Sequence, residues 1–285
     1  MGFRGHSLQY LKSYLTDRKQ YVQVGDFKSE MSVITMGVPQ GSILGPLLFC
    51  LFLNDIVFAV DQEVILFADD AAFFISAPTL QELENKIKKM FVDLNKYLKA
   101  NRLIPNLSKS KLMFFDTRPI PELPDILFDG HKIEWVEEYK YLGLTLSNKM
   151  TYSLHINSVI SKISRFNGTF YKLRQLLPVS TLKMLFSSFV LPHVMQHIVI
   201  WGATPPVYMN KLRIKINVLL RTILNVKYHD FRPEIDTCEI YKRLDVLKVE
   251  NIFKLRLFKL LTELLRGLQP EFYDLLLKPF ENNHL

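Results

Sequence analysis

Cysteine is nearly absent from this 285-residue sequence. Cys50 and Cys238 stand far apart, and neither has a His or Cys at ligand spacing. That excludes a disulfide framework or a structural zinc module and points to a reducing intracellular compartment. Long unbroken hydrophobic runs are lacking too. Arg4, Lys12, Asp17, Arg18 and Lys19 break the first apolar stretch, so it does not read as a signal peptide. The run 184–201 carries no charge but contains Pro192, His193, Gln196 and His197. It reads as a buried or half-buried helix, not a membrane span, and the chain as soluble with no membrane partner.

Acidic residues disappear from one long segment. None lies between Glu138 and Asp230, where twelve bases fall: Lys140, Lys149, Lys162, Arg165, Lys172, Arg174, Lys183, Lys211, Arg213, Lys215, Arg221 and Lys227. Residues 1–150 hold 17 Lys and Arg against 18 Asp and Glu, whereas residues 151–285 hold 19 against 10. A solvated helix face mixes signs. A long stretch of one sign on a folded domain is the footprint of a polyanion. Nucleic acid is preferred to a membrane surface, because the stretch has no Trp-rich amphipathic face.

What is present in quantity is core material. Apolar residues make up 48% of the chain and aromatics 12%, with 21 Phe, which excludes a disordered tail. Segments 20–24 and 31–36 form an expected hairpin around Gly25-Asp26. Segment 38–59 opens with Pro39, Gly41, Gly45 and Pro46 and continues as an expected buried helix. Apolar runs 64–67 and 71–75 flank Asp69-Asp70 as a second hairpin. Leu80, Leu83, Ile87, Met90, Phe91, Leu94 and Leu98 share one face of a helix over 79–100, with Lys86, Lys88 and Lys89 largely off it. Short strands are expected at 112–115, 126–128, around Ile133 and at 141–146. Past Ser153 the pattern turns helical, at 156–177, 180–199, 208–226 and 247–265, divided by Pro178, Pro205-Pro206 and Pro233. The expected class is α+β, with a mixed domain over 1–150 and an all-helical one over 151–285.

Adjacent aspartates between apolar strands repel each other unless a cation binds them. Asp69 and Asp70 sit between arms, Val-Ile-Leu-Phe and Ala-Ala-Phe-Phe-Ile, that look too apolar for a surface ribbon. Carboxylates on a rigid turn suit a hard, oxygen-seeking ion such as Mg2+. A bare Asp-Asp pair is more often an ordinary acidic turn, so the context decides. His193 and His197 have zinc-binding spacing but no third ligand at a suitable interval, and with Trp135 and Trp201 they read as structural residues.

That context carries a resemblance. Phe67-Ala68-Asp69-Asp70 is similar to the (Tyr/Phe)-x-Asp-Asp hairpin of reverse transcriptases. Met36-Gly37-Val38-Pro39-Gln40-Gly41-Ser42-Ile43-Leu44-Gly45-Pro46-Leu47-Leu48-Phe49 resembles the signature of the non-LTR retrotransposon enzymes, in matching order and separation. Upstream, Ser13-Tyr14-Leu15-Thr16-Asp17-Arg18-Lys19-Gln20 resembles another family element. Downstream, Asn101, Leu103 and Asn106-Leu107-Ser108-Lys109-Ser110-Lys111 do likewise. Tyr139-Lys140-Tyr141-Leu142-Gly143-Leu144, followed by His155-Ile156, resembles the primer-grip hairpin. Val190-Leu191-Pro192, Trp201-Gly202 and Leu268-Gln269-Pro270-Glu271 are similar to jockey-like thumb regions. Phe67 replaces the commoner Tyr, and Ser110 replaces Thr.

The resemblance implies a partial polymerase palm followed by a helical thumb-like region, working by two-metal nucleotidyl transfer with Mg2+, or Mn2+ in its place. It implies catalytic and metal roles for Asp69 and Asp70, and a role for Lys109 at the leaving pyrophosphate. Pro39, Gln40, Gly41, Phe67 and Ala68 would face template and nucleotide. Tyr141, Leu142, Gly143, Lys162, Arg165, Lys172 and Arg174 would hold nucleic acid. The implied partners are an RNA template, a DNA primer or RNA–DNA hybrid and a dNTP, in a nuclear and/or cytoplasmic setting. In the family the first metal aspartate lies upstream of residue 13. The expectation is therefore a fragment, inactive alone, whose parent adds a fingers–palm segment and can carry an endonuclease domain. The rival readings are a non-enzymatic nucleic-acid-binding protein derived from a retroelement, or a decayed remnant.

Overall fold

The computed structural model describes residues 3–116, 122–226, 228–229, 232–233 and 236–268. Lys227 of the basic segment and Gln269, Pro270 and Glu271 of the late motif lie outside the described residues. The chain divides into two compact units, one of residues 1–112 with 121–135, the other of residues 113–120 with 136–285.

The first unit opens with helix α1 (Gly5–Leu15). Strand β1 (Arg18–Gln20) pairs with β4 (Ser32–Ile34), and β2 (Gln23–Val24) with β3 (Phe27–Lys28) around Gly25-Asp26. The register slips by one residue between the two pairs, Gln20 opposing Ser32 but Gln23 opposing Lys28. The extra residue is a bulge, the device that bends a ribbon. Helix α2 (Leu44–Leu53) runs into a 3-10 turn (Asn54–Phe58). Strands β5 (Glu63–Phe67) and β6 (Asp70–Phe74) form the acidic hairpin.

Helix α3 (Leu80–Ala100) starts where Thr79 caps it, its hydroxyl accepting the Glu82 amide at 3.3 Å. Strand β7 (Lys111–Leu112) runs parallel to β9 (His131–Trp135), and β8 (Ile126–Phe128) antiparallel to β9. The apolar stripe of α3 lies on this sheet, with Leu98 against Phe128 and Ile133, and Phe91 edge-on to Phe128.

Two expectations fail in this unit. Helix α2 is apolar throughout, yet only Gly45 and Leu53 are buried. On the acidic hairpin, Ile65, Phe67 and Phe74 are 43%, 61% and 51% exposed. The reason is positional: one buried cluster lies between α3 and the β7–β9–β8 sheet, whereas among the described residues α2 packs chiefly on the 3-10 turn that follows it and β5 chiefly on β6.

In the second unit β10 (Glu138–Tyr141) pairs with β11 (Leu144–Ser147), and helix α4 (Ser153–Leu173) crosses α8 (Pro206–Leu224). Between them the segment expected as one helix is divided. Helix α5 (Val179–Leu185) passes through a π turn (Phe186–Val190) into α6 (Leu191–Met195), and α7 (Ile198–Trp201) restarts after His197. The wide turn accommodates Pro192, which has no amide to donate. Strands β12 (Tyr228–His229) and β13 (Arg232–Pro233) precede α9 (Thr237–Leu244) and α10 (Val249–Leu265). Ile156, Ile163, Phe170, Phe186, Trp201, Leu212 and Leu220 fill one core. Leu144 and Leu146 of the β10–β11 hairpin join that core. The hairpin therefore belongs to the helical unit, and the change of unit falls ahead of the change in residue texture near 150. Among the described residues no helix is long and apolar enough to cross a membrane.

Candidate functional site

In the first unit the acidic tip is built by a two-residue turn. Phe67 opposes Asp70 as the last strand pair, leaving Ala68-Asp69 as the loop. Ala68 has φ 52, a left-handed conformation that glycine takes freely and an L side chain resists. Strain of that kind gathers where a structure must hold a side chain in one place. Asp69 and Asp70 are both exposed. Neither has a hydrogen-bond or ion-pair partner among the described residues.

Hard divalent ions accept one or two carboxylates and complete their shell with water and phosphate oxygens. Two adjacent carboxylates without a cationic neighbour fit such an ion. Among the described residues no cluster of three or more His, Cys, Asp or Glu side chains suited to a metal exists.

The glycine-rich segment beside α2 is braced by residues whose role the sequence did not disclose. Ser42 Oγ donates to the Pro39 carbonyl at 2.6 Å, accepts the Gly45 amide at 3.1 Å and accepts from the Tyr14 hydroxyl at 2.5 Å. Arg18 donates to the carbonyls of Met36 at 3.1 Å and Gly37 at 2.6 Å. A Cβ on Gly45 would lie 2.9 Å from the Pro39 oxygen, so that glycine is packed in. Gly41 differs: its φ is 79, and a Cβ there would meet nothing within 4 Å. Gln40 and Gly41 are exposed and Pro39 is half-buried, so the loop presents backbone outward. Tyr14 and Arg18 were legible as motif members. Their function as braces needed the folded loop. Lys109 is exposed on the turn that leads into β7, where its amide donates to the Asn106 carbonyl at 3.1 Å.

The second unit carries the base-rich segment. Asp245 pairs with Lys183 at 3.3 Å and Glu250 with Arg213 at 3.6 Å, while Arg221 is buried and donates to the Thr237 hydroxyl. Among the described residues no acid reaches Lys140, Lys149, Lys162, Arg165, Lys172 or Lys215. Lys162, Arg165 and Lys172 all lie on α4. At 100° per residue they share a sector about 80° wide beside the buried stripe of Ile156, Val159, Ile163 and Phe170. Arg174 departs from that row. It caps the helix end and stacks on the Tyr171 ring, 4.0 Å from its centre. By contrast the α3 lysines are engaged. Lys86 donates to the Ser76 carbonyl, Lys88 pairs with Glu84 and Lys89 with Asp61.

The hairpin tip Tyr141-Leu142-Gly143 stands on the helical layer. His197, expected to be structural, is bonded through Nε2 to the Leu142 carbonyl at 2.8 Å. His155 is 4% exposed, and its Nδ1 accepts the Thr145 amide at 3.3 Å. Burial pushes His155 down from 6.5 to about 4, helped by the nearby charges of His197, Lys162 and Lys140. Burial, then Lys162, also lowers His193, whose ring lies against Phe166.

A pH dependence of stability follows. The unfolded chain binds a proton at His155 more readily than the folded one, so stability is lost as pH falls from 6.5 towards about 4. The expected loss is on the order of 2 kcal/mol, discounted for partial hydration of the ring. His155→Gln should flatten that part of the profile in urea titrations. An unchanged profile in the variant would place the proton elsewhere.

A family profile for reverse transcriptase (RNA-dependent DNA polymerase) matches residues 2–146. The chain is 27% identical over 231 residues to the RNA-directed DNA polymerase from mobile element jockey of Drosophila melanogaster, covering 77% of this chain and 25% of that protein. The jockey polymerase of Drosophila funebris is 25% identical over 244 residues, covering 81% and 26%. The probable RNA-directed DNA polymerase from transposon BS of Drosophila melanogaster is 27% identical over 234 residues, covering 77% and 26%. The chain thus spans about a quarter of the length of these curated relatives. No solved structure matches it significantly. The profile covers half of the sequence, including the acidic hairpin and the braced glycine loop, and the relatives extend the likeness past residue 146. The chain belongs to the reverse transcriptase family, in its non-LTR retrotransposon branch.

Proposed function

We propose that this chain supplies the catalytic hairpin and the nucleic-acid grip of an RNA-directed DNA polymerase, its first unit part of a palm and its second a thumb. The observation that carries the reading is the pair of exposed carboxylates without partners at the tip of β5–β6, within the stretch matched by the family. Asp69 and Asp70 would hold the divalent ion, Mg2+ or Mn2+. When bound, that ion neutralises charge on the transferring phosphoryl group and lowers the pKa of the attacking hydroxyl.

The remaining work falls to side chains and backbone. Gly41 leaves its loop open for a template base or nucleotide to approach the backbone, and Pro39 and Gln40 shape that edge. Phe67 and Ala68 fix the height of the carboxylates above the hairpin. Lys109 offers an ammonium to the departing pyrophosphate. The Leu142-Gly143 tip meets the primer end, and the α4 row meets phosphates. The partners are template RNA, primer DNA and dNTP, in the nucleus and/or cytoplasm, with an upstream segment of the parent protein completing the metal site.

Primer extension on poly(rA)/oligo(dT) with Mg2+ or Mn2+ tests this. The chain alone should give no template-dependent incorporation. Fused behind the upstream part of the jockey relative it should extend, and Asp69→Asn should then reduce synthesis at least about 100-fold. Template affinity should stay within about twofold, because metal ligands act on the transferring phosphate and grip little of the duplex. Full synthesis by the Asn variant removes the hairpin from the chemistry. A second reading, binding without catalysis, draws on the basic row of α4, which no acid reaches among the described residues. It gains if the fusion binds hybrid normally and never extends it.

A further inference from the structure

Two hairpin turns in this chain share their φ angles and differ in chemistry. Asp129-Gly130, between β8 and β9, has φ 48 and 82, and Leu142-Gly143, between β10 and β11, has φ 47 and 88. Left-handed angles at both loop positions define a type I′ turn, which Asp-Gly or Asn-Gly adopts on its own. Leucine does not: a branched side chain resists the left-handed region by about 1–2 kcal/mol. The Leu142-Gly143 turn therefore requires an external hold.

The hold comes from the break between α6 and α7. Gln196 is extended, with ψ 120, and His197 is left-handed, with φ 55, where the sequence would otherwise continue a helix. The break is itself secured. The Gln196 amide donates to the Pro192 carbonyl at 3.0 Å, its carbonyl accepts the Trp201 indole at 2.8 Å, and the His197 carbonyl accepts the Ile200 amide at 2.9 Å. Its two side chains then meet the two turn residues. His197 Nε2–H donates to the Leu142 carbonyl, and the Gln196 amide lies so close to Gly143 that a Cβ would stand 2.5 Å from its nitrogen. On the return strand His155 accepts the Thr145 amide.

We propose that the Gln196-His197 helix break exists to set the β10–β11 hairpin tip, with His197 as a positioning residue for whatever that tip touches. The turn is shaped from outside because its own sequence favours another shape. This functional sense rests on the reading of the tip as the primer contact, so the test separates the two.

Amide exchange on the full chain reads the anchoring. His197→Phe keeps the ring size and removes the donor, and should speed exchange of the amides of residues 142–145 by about tenfold. Exchange in α4 and α8 should not change. His197→Gln, which restores an N–H donor, should recover most of the protection, and Gln196→Ala, which keeps the His197 bond, should give a smaller acceleration. Equal protection in the native chain and His197→Phe overturns the anchoring. Binding reads the function, with a hybrid carrying a recessed DNA 3′ end set against a flush hybrid of equal length. The native chain should prefer the recessed end, His197→Phe should lose the preference, and His197→Gln should keep it. Preference retained by His197→Phe overturns the positioning role. No preference in the native chain overturns the primer-contact reading, and the functional sense of the break with it.

Discussion

Reversing Lys162, Arg165 and Lys172 together to Glu lowers the affinity of the chain for an RNA–DNA hybrid by about 100-fold, at roughly 1 kcal/mol for each lost phosphate contact. The three share one flank of α4, and no acid among the described residues neutralises them. Each contact with a phosphate releases a counterion. The triple variant should therefore flatten the slope of log K against log salt by about 3. The loss should be alike for every hybrid sequence, since backbone contacts carry no sequence information. Reversing Lys86, Lys88 and Lys89 provides the control. Those lysines are spent on Ser76, Glu84 and Asp61, and their reversal should change affinity by less than about threefold. Arg174→Glu should fall between the two, because the guanidinium is already stacked on Tyr171. Equal losses from the α4 and α3 triples would reduce the basic helix to net charge alone.

Trp201→Ala costs the chain about 3–5 kcal/mol of stability, the range for deleting a large aromatic ring from a close-packed core. Trp201 is fully buried, its ring 5.7 Å from that of His155. Its indole N–H satisfies the Gln196 carbonyl at the helix break, so removal also leaves a polar group without its partner. Against a typical total of about 5–15 kcal/mol, the helical unit would be left marginal. Trp201→Phe should lose roughly half as much, keeping most of the ring and losing the donor. Urea unfolding followed by circular dichroism measures both. A cost below about 1 kcal/mol for the Ala variant would mean that the interior repacks around the gap.

Periodicity made the long helices legible. The apolar face of α3 and the spans of α4, α8 and α10 could be read because 3.6-residue spacing, and the prolines beside α4 and α8, act locally. The Asp69-Asp70 hairpin was legible for the same reason, as two apolar runs around an acidic pair. What escaped depends on contacts distant in sequence. The uncharged run 184–201 has no local signal for the break at Gln196-His197, whose side chains meet Leu142 and Gly143 more than fifty residues away. Helix α9 did carry a signal: Asp236 accepts the Cys238 amide and Glu239 follows three residues later, as in a capping pattern. The exposure of α2 and of the β5–β6 outer face was not readable from composition, since an apolar segment does not say which element covers it. For the candidate site, motif strings singled out Pro39, Gln40, Gly41 and Asp69 as candidates. They did not reveal that Tyr14, Arg18 and Ser42 hold the loop in shape.

Affinity of the 285-residue chain for a labelled RNA–DNA hybrid, measured across a range of salt, tests the central claim most directly. A grip in which about four to six side chains touch phosphates predicts a slope of log K against log salt of about −3 to −5, nearly the same for unrelated hybrid sequences. A slope near zero, or binding that follows sequence more than salt, would contradict it.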